Sequence, residues 1–184
     1  MATDINPLPL QKAQELFRGL GIEDRTRTVL CAGLDGVLPN EAQDIVIAGI
    51  GSEVTTGIIQ NASWLKEEDR RLILVPASHH ERVRAFLYRQ GYELLSEQAV
   101  FEAGHCYSVM HARFCGCTQE ISPAFAALGL IRPQQGADAA AYCARELEKA
   151  RRIRQNTNDP QKAFRAQQVE RFILAELGQS TDGL

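Results

Sequence analysis

The run Asp44-Ile-Val-Ile-Ala-Gly-Ile-Gly-Ser52 ends in a loop with almost no side chains, and a second run, Arg71-Leu-Ile-Leu-Val-Pro76, follows it after a helix-like stretch. A loop such as Ala48-Gly49-Ile50-Gly51-Ser52 lets a planar molecule approach the backbone. Glycine is also common in ordinary strand-to-helix turns, so the loop alone leaves both readings open. His79-His80 comes just after Pro76, where a helix is expected to start. Asp4 offers paired acceptor oxygens, and it is also placed to cap a helix beginning near Pro7. Cys115-Gly-Cys117, close to His105 and His111, has ligand types for zinc. A C-x-C pair with no second Cys/His pair at finger distance is a weak metal signal, and no metal is expected.

Periodicity supplies the elements that must hold these residues. Asp4-Ile5-Asn6 reads as a strand end. Pro7 and Pro9 open a helix with Leu10, Ala13, Leu16, Phe17 and Leu20 at helical spacing, closed by Gly19 and Gly21. Residues 26–31 form the next strand and 32–36 a loop. Strand 44–48 leads into a helix over 53–61, with Val54, Ile58 and Ile59 on its apolar face. Strand 72–75 leads into a helix over 79–90, with Val83, Phe86 and Leu87 inward. Residues 92–101 and 105–114, separated only by Glu102-Ala-Gly104, give a hairpin signal. The sum is an α/β chain with a mostly parallel sheet and a reversed strand at one side. Ligands of such sheets bind outside the carboxyl ends of the strands.

After residue 115 the strands stop. A linker holds one short helix over 124–128. A charged helix over 138–155 follows, with Tyr142 or Cys143, Leu147, Ala150 and Ile153 on one face. A turn at 156–160, capped by Asp159 or Asn158, leads to a helix over 161–177 with Val169, Phe172, Ile173 and Leu177 on one face. These two form an αα-hairpin. The tail from Gly178 is expected to fray. Two units result, residues 1–115 and 116–184.

Bulk properties narrow the class. The 184 residues carry a formal charge of −3 and are 45% hydrophobic, enough for a real core but with no global basic excess to advertise nucleic acid. No apolar run approaches the roughly 20 residues of a membrane span. Five cysteines without a signal peptide read as free thiols in a reducing cytoplasm.

The order of these pieces resembles the bacterial tRNA (adenine(22)-N1)-methyltransferases, the TrmK family. Residues 2–13 (ATDINPLPLQKA) resemble its second strand and following helix. Ile47-Ala-Gly-Ile-Gly51 is similar to its IAGMGG motif, and Leu72-Ile-Leu-Val-Pro76 with Val83, Arg84 and Leu87 to its LILQP segment. Gly91-Tyr92, Gly104 and Tyr107 fit its terminal hairpin, and Arg145-Glu-Leu-Glu-Lys149 the start of its coiled pair. The resemblance implies a Rossmann-like class I methyltransferase sheet with a terminal antiparallel hairpin and a C-terminal helical hairpin. It implies transfer of a methyl group from S-adenosylmethionine (SAM) to N1 of a tRNA adenine. Asp4 would take the cofactor ribose, with Ile5, Gly33, Leu34, Ala48 and Gly51 around SAM. Gly49, Pro76 and His79 would form the catalytic floor and strand tip beside an extruded base. Arg84, as phosphate anchor or structural ion pair, and Lys149, Arg152 and Arg165 on the hairpin would contact RNA, although interleaved acids also suit a solvated helix pair.

This sequence departs from the family in several places. The family's opening strand and DIGSDHAYLP loop have no counterpart upstream of Met1, a missing βα unit of roughly 30 residues. The family's DGL triplet is Ala32-Gly33-Leu34 here, with Asp35 a weak substitute; Val75 replaces Gln, Ser52 replaces Gly, and Ala103 and Ser108 replace acids. These departures predict weak SAM binding by this chain alone, and a sheet whose exposed edge promotes self-association. Two rival readings remain: a non-catalytic relic that binds RNA or protein, and a SAM methyltransferase with another substrate.

Overall fold

A computed structural model describes residues 1–67 and 69–178; the last residues of the expected frayed tail lie outside them. Six strands and six α-helices follow in the expected order: β1 (Ala2–Asp4), α1 (Pro7–Gly19), β2 (Thr28–Leu30), β3 (Asp44–Ala48), α2 (Ser52–Asn61), β4 (Arg71–Val75), α3 (His80–Arg89), β5 (Tyr92–Glu102), β6 (His105–Phe114), α4 (Pro123–Leu128), α5 (Ala137–Asn156) and α6 (Pro160–Glu176). No helix among them is long and apolar enough to cross a membrane.

The strands form two sheets. β1 and β2 pair in parallel, Ala2 opposite Thr28 and Asp4 opposite Leu30. The other four strands run in the order β3-β4-β6-β5. β3 and β4 are parallel, with Ala48 opposite Val75, while β6 is antiparallel to both its neighbours. The reversed strand is therefore second from the edge rather than outermost. The hairpin turn uses left-handed Ala103 and Gly104, φ 49° and 79°, a pair of positive φ values that matches strand twist in a two-residue connection.

The strands near α2 and α3 form one apolar core with them. Ile45, Ile47, Leu72, Leu74, Val83, Leu87 and Met110 are its centre, each buried side chain contributing about 1.5–3 kcal/mol. α2 uses only part of the face expected of it: Ile59 is buried in this core and Ile58 packs against it. Val54 is 56% exposed, and the inward stripe is Ser52, Thr55 and Ile59. Thr55 can sit inside because its hydroxyl donates to the Gly51 carbonyl at 3.0 Å, so its burial leaves no orphaned polar group. α1 is likewise less embedded than its period suggests: Leu10 is buried, while Leu16 and Leu20 face out.

A second core joins α4, α5 and α6 through Leu128, Ile131, Tyr142, Cys143, Leu147, Val169 and Ile173. Ile153 and Leu177, expected inside, lie at its exposed margin. Asp159 caps α6, accepting from the amides of Gln161 and Lys162. Inside the hairpin the Glu170 carboxylate is buried between Arg151, at 2.8 Å, and Arg154, at 3.0 Å. Two of the hairpin's cations thus hold it together.

Candidate functional site at the strand tips

The carboxyl ends of β1 to β4 carry the residues that the sequence singled out. Parallel pairing brings the ends of β1 and β2 together: the Cys31 amide donates to the Asp4 carbonyl at 3.0 Å, and the Thr3 hydroxyl donates to the Gly33 carbonyl at 2.8 Å. Gly33 adopts φ +57°, and a Cβ there would lie 2.6 Å from Cγ1 of Ile58. Glycine is required both for its conformation and because α2 presses against this loop. Asp4 does not cap α1, whose N-cap is Asn6 without a side-chain cap bond; its Oδ1 accepts from the Asn6 amide at 2.7 Å, and its second oxygen receives no donor among the described residues. Ile5 is exposed, and Leu34 is half-buried against the main core.

β3 and β4 are laced beyond their ladder. The Gly49 amide donates to the Val75 carbonyl at 3.0 Å, and the Ala77 amide to the Ile50 carbonyl at 2.9 Å. Gly49 has φ +74°, and an added Cβ would meet nothing within 4 Å. Its glycine is demanded by conformation and leaves open space above the rim. Ala48 is exposed beside it. Gly51 caps α2 with ordinary extended backbone. A Cβ at Gly51 would touch only the Ser78 hydroxyl, at 3.9 Å.

At the next tip the two histidines separate in role. His79 is half-exposed and left-handed at φ 53°, a conformation costly for a non-glycine residue. Its Nδ1 lies 3.2 Å from Oε1 of Glu81. His80 turns inward: Nε2 is 3.1 Å from the Pro76 carbonyl and Nδ1 is 3.0 Å from the Tyr142 hydroxyl. A carbonyl can only accept, so Nε2 carries the proton and Nδ1 accepts from Tyr142. Burial, and then the charge of Arg84, push His80 down to about 4 despite opposing carboxylates at Glu81 and Glu97. Pro76 itself is buried, so its ring positions the tip rather than facing a ligand. The importance of His80 was not read from the sequence, which marked the doublet but not the partner 62 positions away.

Arg84 is the clearest correction. Its side chain is wholly buried, as is that of Glu97, 2.7 Å away. Its nitrogens also donate to the carbonyls of Ala126 and Ala127, at 2.7 and 2.8 Å, and to the Tyr142 hydroxyl at 3.0 Å. Ser108 donates to the same carboxylate oxygen and the Leu130 amide to the other. Of the two roles considered, the guanidinium fills the structural one, and none of it is available to a phosphate.

The hairpin cations divide. Lys149 bonds Glu81 at 3.3 Å and Glu146 at 3.4 Å. Burial alone would raise Glu81, but Lys149, a backbone amide and His79 outweigh it and hold the carboxyl below its usual range. Glu146 is raised by burial. Arg152 is exposed on α5 and borders a recess of about 550 Å³ that also takes in Ser78, His79, His80 and Arg145. Arg165, exposed on α6, borders an adjoining cleft of about 870 Å³ between α2, α3 and the hairpin. The tertiary structure therefore brings Lys149 and Arg152 to the His79 tip, and Arg165 to the neighbouring cleft.

Comparison with known proteins agrees with this architecture. A family model described as a methyltransferase domain matches residues 1–110. A curated tRNA (adenine(22)-N(1))-methyltransferase of Bacillus subtilis (strain 168) is 30% identical over 112 residues, 61% of this chain and 47% of the relative; the match spans about half that relative's length. The crystal structure of the B. subtilis M1A22 tRNA methyltransferase TrmK superposes with a TM-score of 0.69 at 21% identity, covering 96% of this chain and 79% of that one. M. capricolum TrmK in complex with S-adenosyl-homocysteine (SAH) gives 0.71 at 17% identity, with 96% and 79% covered. At such identities the superpositions establish a shared fold.

Proposed function

Because this chain belongs to the methyltransferase-domain family, we propose that it works as a SAM-dependent methyltransferase on N1 of an adenine in tRNA, in the bacterial cytoplasm. The observation that carries the reading is the pair of neighbouring strand tips: a Cβ added at left-handed Gly49, after β3, would meet nothing within 4 Å, and left-handed His79, after β4, borders one recess with Arg152. The residues present suit the adenosine half of SAM: Asp4 keeps one carboxylate oxygen for a ribose hydroxyl, and the Gly49 loop leaves backbone open to a flat ring.

When bound, the cofactor supplies a methyl group on a sulfonium that departs as a neutral thioether. Adenine N1 already holds a lone pair, so the chain needs no general base; its task is to position and desolvate. With SAM bound, N1 would take the methyl group as the sulfonium became a thioether, and the positive charge would pass to the base. His79 stacks on that base or hydrogen-bonds to it. Neutral His80 adds no cation opposing the new charge, and Arg152 and Arg165 hold phosphates of the RNA.

One observation favours the second reading, a non-catalytic RNA-binding relic. The loop after β2 has exposed Ala32 at the position where the family resemblance implies a carboxylate, and Asp35 lies exposed in the following turn. Calorimetric titration with SAH, followed by methyl transfer from SAM to unmodified tRNA, separates the two. Binding with label at adenine N1 supports the enzyme; a folded sample that binds tRNA but not SAH supports the relic. The edges of β1 and β3 left without a paired strand among the described residues, with Val46 of β3 exposed, favour self-association, which sedimentation analysis measures.

A further inference from the structure

The helical hairpin reaches the β4 tip by one continuous set of hydrogen bonds. It starts at the buried Arg84–Glu97 pair, passes from Arg84 Nη2 to the Tyr142 hydroxyl at 3.0 Å, then to His80 Nδ1 at 3.0 Å, and ends with His80 Nε2 on the Pro76 carbonyl at 3.1 Å. We infer that Tyr142 and His80 are positioning residues: the Tyr142 hydroxyl, anchored on Arg84, holds the His80 ring so that it fixes the Pro76 carbonyl, and through it the loop carrying His79. This rests on reading that loop as the base-facing side of a methyltransferase site.

Further observations support the assignment. The two rings stack, with centroids 5.8 Å apart and planes 17° from parallel, so contact as well as hydrogen bonding fixes the imidazole. A hydroxyl has one proton, and Tyr142 gives it to His80; the competing Ala127 carbonyl is farther, at 3.4 Å, and already accepts from Arg84. The loop is otherwise tied by the Ala77 amide on the Ile50 carbonyl and by His79 near Glu81; Ala77, Ser78 and His79 are exposed, and His79 holds a strained φ that persists only where its surroundings determine it. Burial of His80 keeps the ring neutral, which preserves the acceptor that Tyr142 needs.

The test uses long-range ¹H–¹⁵N spectra of the full chain and of three variants. Tyr142→Phe keeps the ring and loses the hydroxyl. His80→Leu loses both bonds and serves if the first variant does not fold. Leu147→Ala damages the same helix, at a buried position, without touching the relay. The wild type is expected to show the Nε2–H tautomer at His80. Tyr142→Phe is expected to shift Nδ1 and the amides of Ala77, Ser78 and His79, with Leu147→Ala leaving them in place. His80→Leu is expected to displace the same amides. In the methylation assay, Tyr142→Phe is expected to lower kcat at least tenfold with KM for tRNA unchanged. An Nδ1–H tautomer in the wild type, loop amides indifferent to Tyr142→Phe, or equal shifts from Leu147→Ala would overturn the inference. If the wild type transfers no methyl group, the enzymatic reading fails, while the spectra still decide the coupling.

Discussion

The guanidinium of Arg84 and the carboxylate of Glu97 lie 2.7 Å apart with both side chains wholly out of solvent. Each is fully engaged: Arg84 by two carbonyls and a tyrosine, Glu97 by Ser108 and the Leu130 amide. The pair joins β5 and α3 to the α4 end and to α5. Removing one member strands the other, so Arg84→Met or Glu97→Leu alone is expected to cost about 3–5 kcal/mol. The double replacement should cost less than the sum of the singles. Urea denaturation of all three measures it, and simple additivity would contradict the pairing.

Gly129 touches the same pair. It has φ +56°, and a Cβ there would collide with the Glu97 carboxylate and the Arg84 guanidinium. Gly129→Ala should therefore destabilise as severely as loss of the pair. Gly57, inside α2 with nothing within 4 Å of an added Cβ, provides the contrast. There Gly→Ala should stabilise by about 0.5–1 kcal/mol. Thermal melts of the two variants should move in opposite directions.

Acid should weaken the fold through His80. Its folded-state value of about 4 lies below the ordinary 6.5, so the unfolded chain takes up a proton first. Stability from this residue is complete above pH 6.5 and falls as pH drops toward 4. Arg84, Glu81, Glu97 and Tyr142 are the charged or titratable groups facing it. The loss should vanish in His80→Leu once the variant's own offset is subtracted. A histidine resonance at His80 titrating near 6.5 would refute the assignment.

Gly49 tests the open rim. A β-branched side chain at φ +74° is strained, and it would project into the open space where a planar ligand could lie. Gly49→Val should lower SAH affinity more than tenfold, read by calorimetry on a sample whose circular dichroism is unchanged. Undiminished affinity would place the cofactor elsewhere.

The hairpin cations should not be equivalent toward RNA. Arg152→Glu and Arg165→Glu remove exposed charges, and each should flatten the dependence of tRNA affinity on salt by about one counterion. Lys149 is already shared between Glu81 and Glu146, so Lys149→Ala should change that slope least. Fluorescence anisotropy across a salt series gives the three slopes, and the largest change at Lys149 would reverse the assignment.

By itself the sequence determined what local interactions encode. Short β-branched runs ending in glycine or proline marked β3 and β4, Glu102-Ala-Gly104 marked the turn between β5 and β6, and Asn158 or Asp159 marked the start of α6, because strand period, turn conformation and helix capping all act over a few residues. The tertiary structure decided the rest. Val54 faces out because a hydrophobic period fixes the period of a helix but not its rotation against the sheet. An irregularity in pairing between Leu94 and Ser96 shifts which side of β5 faces inward. The covered positions pass from Tyr92 and Leu94 to Glu97, and strict alternation could not announce that change. Arg84 reads equally as a phosphate anchor or a structural ion pair until Glu97, Ala126 and Tyr142 arrive from three other elements. His80 and Tyr142 meet only because α5 packs over the β4 tip. Partners far apart in the chain leave no periodic trace, and the cost of burying a polar group selects such pairings only once the elements have packed.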